Sequence, residues 1–395
     1  MKRIAAEYVY TGVSDEPVRN GFVEFDEDGT VISVGESPEP GAEKDFRQGA
    51  LTPGFVNSHC HLELSHLKGK FRRGSGMSGF INQINELRDS TSAEGRKREA
   101  AAWMAGLWNQ GVSAMSDISN CDETFEIKAG SPLYTRTFLE VFGTEPQDCA
   151  AVIAGVKKLA EKAASYGIDA APTPHACYTM SPELLSAASA EGLAAGYLSY
   201  HSEESPEEEE LLISGTGALA DNYHGRGLST PPVTGKPSLI YFIDRLLEVH
   251  KPPFDEHVLL VHNVCLTQEA LDYASEYLKN VWWTVCPLSN IFIHNALPPI
   301  RMMRRNGLRI TVGTDSLSSN DTLDMVKEMY CIQNAFPDVP VGEIIRWATF
   351  NGADFLSKTD TLGSLSPGRR PGIVHVRNLG PDGRLTSESV SERII

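Results

Sequence analysis

His59 and His61 close the segment Leu51-Thr52-Pro53-Gly54-Phe55-Val56-Asn57-Ser58-His59-Cys60-His61. Pro53-Gly54 is a turn signal, and Phe55-Val56 begins a short apolar strand. Side chains alternate along a strand, so both imidazoles fall on one side. Two imidazoles on one face at the end of a buried strand are half of a divalent-metal site. Such pairs also occur on ordinary surface strands, so other parts of the chain must supply the remaining ligands. Three further apolar runs end on suitable groups. Residues 198–201 end on His201, with Glu204 three positions on; 259–262 end on His262; 310–315 end on Asp315. For each residue alone the plain alternative is a buried, hydrogen-bonded polar side chain.

Groups gathered where strands end are arranged as in a parallel barrel, whose chemistry collects at the carboxyl ends of its strands. Strand-like runs at 112–117, 135–141, 169–175 and 281–286 complete a set of eight, with helical patterns between them, as at 151–166 and 267–278. Pro172 and Pro174 blur the ends of the fourth strand. This alternation predicts an α/β fold, a (β/α)8 TIM barrel over residues 53–358. Residues 1–52 hold short strands near 6–10, 21–25 and 31–35, with a hairpin turn at 26–29. Residues 359–395 add a turn at 363–368 and a strand at 372–376. The two ends are expected to pack as one small β-sandwich, which would cover their exposed edges. Glu207 to Glu210 has the pattern of a solvated helix face, with Pro206 in the first turn. Residues 214–237, rich in Gly, Ser, Thr and Pro, are expected to form a long loop over the barrel mouth. Trp282 and Trp283 point to opposite faces, so at least one ring belongs to the core.

A chain of 395 residues suits one barrel and a small accessory domain. Apolar content of 41% and charged content of 22% are those of a globular enzyme. The net charge of −17 argues against nucleic acid and anionic membrane as partners. Seven cysteines are scattered without paired spacing, and Met1-Lys2-Arg3-Ile4 leads straight into a strand pattern. No apolar run reaches the length of a membrane span. These features lead us to expect a cytoplasmic protein with free thiols and a small-molecule substrate.

The ordered motifs resemble the amidohydrolase superfamily, and within it the cytosine-deaminase-like branch that includes chlorotriazine hydrolases, guanine deaminase and adenosine-derivative deaminases. The resemblance covers nearly the whole chain. It rests on Pro53 to His61, on the block Pro174 to Pro182, on His201 with Glu204, and on Val261-His262 through Leu266-Thr267. It continues through Cys286-Pro287-Leu288-Ser289-Asn290, through Gly313-Thr314-Asp315-Ser316 with Ser319-Asn320, and through Ala348 to Ala353 with the 363–368 turn. The chain departs from the pattern at Arg369-Arg370-Pro371-Gly372, where the family usually has Lys-x-Ala-Asp; this touches local packing rather than chemistry. The stretch His61-Leu62-Glu63-Leu64-Ser65 is similar to the aminodeoxyfutalosine deaminase group.

The resemblance implies that His59, His61, His201 and Asp315 hold one divalent metal, Zn²⁺ or else Fe²⁺. Three neutral imidazoles and a carboxylate suit such an ion. Residues 169–177 contain no Lys, so the carboxylated lysine of two-metal relatives has no counterpart. Glu204 is the implied proton shuttle, with Glu203 its rival. His262 is expected to hydrogen-bond the attacking oxygen, and Asp315 to accept a proton as well as ligate. His175, Glu63 and His66 are expected to contact substrate. Ser289-Asn290 and Ser319-Asn320 are expected to tie loops by local hydrogen bonds. The activity implied is hydrolytic deamination of an amino-substituted heterocycle of the purine or adenosine type, in a homodimer by analogy. The alternatives are a hydrolase of cyclic amides or halo-heterocycles and, more distantly, a non-catalytic barrel scaffold.

Overall fold

The computed structural model describes residues 1–37 and 44–395. Strands β1 (Lys2–Val9), β2 (Val18–Phe25), β3 (Val31–Glu36) and β4 (Phe46–Pro53) open the chain. The β2–β3 hairpin turns where expected: Asp26 N–H donates to Thr30 O, and Gly29 has φ +82°, a backbone region that glycine enters without steric cost. Then come β5 (Phe55–Cys60), β6 (Val112–Ser119), β7 (Tyr134–Val141) and β8 (Asp169–Pro174), followed by β9 (Tyr197–Ser202), β10 (His257–His262), β11 (Val281–Val285) and β12 (Ile310–Val312). Strands β13 (Ile373–Arg377) and β14 (Val390–Arg393) end it.

Strands β5 to β8 form one parallel sheet in that order, and β9 to β12 form another. Every residue of β6 is buried, as parallel strands covered on both faces must be. The ladders do not run continuously around all eight strands. They form two four-stranded halves that meet at two seams. At one seam the Thr314 and Asp315 N–H groups both donate to His59 O at 3.0 Å; at the other, His201 N–H donates to His175 O at 2.9 Å. One buried cluster takes Val56, Ile118 and Phe138 from the first half and Leu259, Val261 and Trp282 from the second. Trp283, facing the other way, packs in the outer core. Within the sheet ladders β8 pairs with β7 alone, so Pro172 and Pro174 sit on an edge, where a missing N–H costs little.

The connections are helical. Helix Pro182–Ala194 begins on Ser181, whose Oγ accepts from Leu184 N–H, and Ser205 caps helix Pro206–Ser214 in the same way. The 214–237 stretch is not a single loop, because helix Ala218–Gly225 lies within it. No helix among the described residues is long and apolar enough to cross a membrane.

The chain ends differ from expectation. Among the described residues they make one six-stranded sheet, β14-β13-β4-β1-β2-β3, and not the two facing sheets of a sandwich. Strand β4 is the hinge of this arrangement, parallel to β1 on one side and antiparallel to β13 on the other. One face packs Ile4, Val23, Phe25 and Leu51 under Leu365. Val374 and Val376 point into the core shared with the helices, so helices cover the face that a second sheet would have covered. The divergent turn seats against the starts of β5 and β6: Ser113 Oγ donates to Pro371 O at 2.7 Å, and Gly54 N–H donates to Gly372 O at 3.2 Å.

Candidate active site

His59, His61, His201 and Asp315 converge where the two halves meet. The Nε2 atoms of His59 and His61 lie 3.1 Å apart. Asp315 Oδ1 is 3.5 Å from His61 Nε2 and 3.7 Å from His59 Nε2. One ligand nitrogen from each of His59, His61 and His201 falls within 4.8 Å of the others. All four side chains are buried. Burial, reinforced by the neighbouring imidazoles, pushes His59 and His201 well below the ordinary histidine range. Burial alone would raise Asp315, but His61, His262 and His59 hold it well below the usual carboxylate range. Two ring nitrogens facing each other beside a carboxylate fit a divalent cation, and His59 Nδ1 has no hydrogen-bond partner among the described residues.

The backbone at this rim is unusual. Glu203, His262, Asn263 and Asp315 all have positive φ, from 46° to 74°, without being glycine. Strain of this kind gathers at functional sites.

Glu204 stands beside the cluster. Its Oε2 accepts from the Tyr178 hydroxyl at 2.7 Å, and its Oε1 lies 3.5 Å from His262 Nε2. Burial pushes it up to about 8, and the Tyr178 hydrogen bond pulls the other way. Glu203 is turned elsewhere: burial and the nearby Glu209 and Glu208 push it up to about 10. His262 is lowered by burial to about 4, and its Nε2 is without a partner among the described residues.

Residues expected only to tie loops hold this chemistry in place. Ser289 and Ser319 hydroxyls donate to Asp315 Oδ2 at 2.6 and 2.9 Å, leaving Oδ1 toward the histidine pair. Asn290 Nδ2 lies 3.0 Å from His262 Nδ1. The expected solvated face at 207–210 is also corrected. Glu207 accepts from the Met77 and Ser78 N–H groups at the start of helix Gly76–Leu87. Glu208 is buried and accepts from Glu204 N–H at 2.7 Å, while Glu209 accepts from Ser238 N–H. Of the four, Glu208 is buried, Glu207 and Glu209 are half-buried, and Glu210 is exposed.

His175 stacks on His201 with centroids 4.4 Å apart, and its Nδ1 pairs with Thr179 Oγ1. Glu63 and His66 are buried in a network behind His59 and His61. Glu63 accepts from Arg88 at 2.8 Å and from Asn120 N–H at 3.0 Å, and both His66 ring nitrogens meet main-chain carbonyls, of Glu63 and Arg88. Lys128 and Asp117 form a buried ion pair, and Asp117 Oδ1 accepts from the N–H of Leu62, the residue after His61. Glu140, at the end of β7, was missed in the sequence: it is a polar residue where an apolar strand ends, the same signal that marks His201 and His262. A cavity of about 360 Å³ lies at the opposite end of the strands, lined by His257, Trp282, Arg309 and Asp354, and holds none of these groups.

Comparison with known proteins follows the same outline. The profile of the Amidohydrolase family matches residues 50–387. An adenosine deaminase of Helicobacter pylori is 28% identical over 323 residues, 79% of this chain and 75% of that protein. The solved structure of Helicobacter pylori aminofutalosine deaminase in complex with methylthio-coformycin superposes over all of both chains with a TM-score of 0.79 at 22% identity. An adenosine deaminase from Xanthomonas campestris with bound zinc gives a TM-score of 0.71 at 19% identity, over 95% of this chain and 84% of that one. The two structural likenesses are likenesses of fold.

Proposed function

This chain belongs to the amidohydrolase family, and from that premise we propose that it is a hydrolytic deaminase of adenosine-like nucleosides. It is a hydrolase of carbon–nitrogen bonds other than peptide bonds. The fold that carries this activity is a (β/α)8 barrel over 53–358, with the two four-stranded sheets as its halves and residues 1–52 and 359–395 as a companion domain. His59, His61, His201 and Asp315 are its metal ligands. Zinc fits three imidazoles and a carboxylate best, and iron(II) is the other ion that suits them. A divalent cation held there supplies Lewis acidity and lowers the pKa of water at the open position.

The protein's own groups do the rest. Glu204 takes a proton from the attacking water and delivers it to the ring nitrogen beside the carbon that bears the amine. Asp315 Oδ1 is a second acceptor for the water's protons, fixed because Ser289 and Ser319 hold its other oxygen. His262, with Nε2 free toward Glu204, donates to the oxygen as charge develops on it. The proton that Asp315 accepts passes on to the exocyclic amine; the new C–O bond stays, the C–N bond breaks, and the amine leaves as ammonia. His175 borders the substrate, and Glu63 and His66 frame the wall behind it.

One observation carries this reading: a single carboxyl, Glu204, touches both Tyr178 and His262 beside four convergent ligands. The test is ammonia release from zinc-loaded protein given adenosine, 5′-methylthioadenosine, S-adenosylhomocysteine and aminodeoxyfutalosine. We expect stoichiometric ammonia and a 6-oxopurine product from at least one. Metal-replete protein that releases none from the whole set would overturn the proposal.

A further inference from the structure

Glu140 is the last residue but one of β7, with its side chain 3% exposed, among the groups that surround His201. Its two oxygens are treated differently. Oε2 accepts from Asn120 Nδ2 at 3.3 Å, and the same amide group also donates to Glu140 O at 2.9 Å. Asn120 is itself fixed, because its Oδ1 accepts from Arg88, which also binds Glu63. Oε1 has no hydrogen-bond partner among the described residues and points at His201 Nδ1 from 3.5 Å. A buried carboxylate oxygen without a donor is costly, and a ring nitrogen of His201, a candidate metal ligand, lies 3.5 Å from it, with His175 in the same cluster.

We infer that Glu140 is a positioning residue: it accepts the Nδ1–H of His201 and so commits the other ring nitrogen to the metal. A ligating histidine needs one nitrogen free of its proton, and a carboxylate on the other nitrogen fixes that tautomer and the ring's orientation. The chain of contacts Arg88, Asn120, Glu140 and His201 then joins the network behind His61 to the ligand on β9. Asn120 and Arg88 hold the carboxyl rather than the ring, so their influence on the metal passes through Glu140. This inference rests on the four-ligand reading of the site.

The experiment is a competition between protein and a zinc chelator of known affinity, with metal stoichiometry measured for the wild type, His61→Ala, Glu140→Ala and Glu140→Gln. Thermal unfolding of each metal-free protein is measured in parallel. For the wild type we expect about one equivalent, for Glu140→Ala a loss of affinity of about 10- to 100-fold, and for Glu140→Gln, whose amide oxygen still accepts from Nδ1–H, a smaller loss. The metal-free proteins should unfold at similar temperatures, which a merely structural role would not allow. Unchanged affinity in both Glu140 variants overturns the inference and leaves the metal site standing. Two equivalents in the wild type, falling to one in Glu140→Gln, would make Glu140 a ligand of a second ion and overturn it too. If the wild type and His61→Ala bind no zinc alike, the four-ligand reading itself fails.

Discussion

The Tyr178 hydroxyl donates to Glu204 Oε2 at 2.7 Å, and that bond works against the burial that pushes Glu204 up to about 8. Tyr178→Phe removes the donor that favours the ionised carboxylate, so the Glu204 pKa must rise. A base that acts as its carboxylate loses activity below its pKa, so the acidic limb of kcat/KM moves to higher pH. A hydrogen bond to a charged group contributes about 1.5–3 kcal/mol, which is a shift of roughly one to two pH units. A pH profile of the variant with the limb unmoved, and only the plateau lowered, would show that Tyr178 acts in another way.

The converging polar groups were legible in the sequence because each stands at the end of an otherwise apolar strand, as at Val261-His262 and Gly313-Thr314-Asp315. Glu140 carries the same signal, but a lone glutamate near the end of a strand has no His-x-His partner beside it to draw attention. Glu208 was misjudged for a different reason. In a run of acidic residues nothing local says which positions other segments will cover, and here Glu208 meets Cys177, 31 residues earlier in the chain. The roles of Ser289 and Asn290 depend on which strand end faces them, which only the packing of the two sheets decides. The single six-stranded sheet was hidden because β4 meets β13 across more than three hundred residues, and strand order at that separation leaves no mark in local pattern.

The Lys128–Asp117 pair is buried on both sides, with side-chain exposures of 1% and 0%. Lys128 also donates to Ser119 and Thr137, and Asp117 holds Leu62 N–H beside His61. Lys128→Met leaves a buried carboxylate uncompensated, which costs about 3–5 kcal/mol. Urea unfolding should show that loss. The double variant Lys128→Met with Asp117→Asn should recover much of it, since the stranded charge and not the missing amine carries the penalty. A double variant no more stable than the single one would contradict this account.

Glu207 joins two segments through one carboxylate, which receives the Met77 and Ser78 N–H groups at 2.9 and 2.8 Å. These are among the first N–H groups of helix Gly76–Leu87, and an anion there satisfies them and meets the positive end of the helix dipole. Glu207→Ala should cost about 1 kcal/mol globally. Locally it should raise hydrogen exchange across 76–82 well above that in the strands. Helix Gly76–Leu87 brings Met77 Sδ to 3.7 Å from the Tyr178 hydroxyl, which donates to Glu204, so kcat/KM should fall as well. Equal exchange across 76–82 in both proteins would mean that the helix is held by its packing alone.

Glu208 links acidity to stability. Burial, together with the nearby Glu209, pushes its carboxyl up to about 8, and its oxygens accept from Glu204 N–H and Cys177. In the unfolded chain a glutamate titrates near 4.3. The folded state therefore holds a proton that the unfolded state releases as pH rises between those values. The contribution of this group is fully present below about pH 4, declines as pH rises, and is gone once pH passes the folded pKa. The decline has a limiting slope of about 1.4 kcal/mol per pH unit for one proton. Glu208→Gln removes the titration and leaves an amide that can still accept from Glu204 N–H. Urea midpoints at pH 5, 6, 7 and 8 should fall less steeply for the variant, and its stability relative to the wild type should improve steadily across the series. The same experiment on Glu210→Gln, an exposed position of the same helix, should leave the slope as it is. Parallel midpoint curves for Glu208→Gln and the wild type would mean that the buried carboxyl keeps its charge in the folded protein.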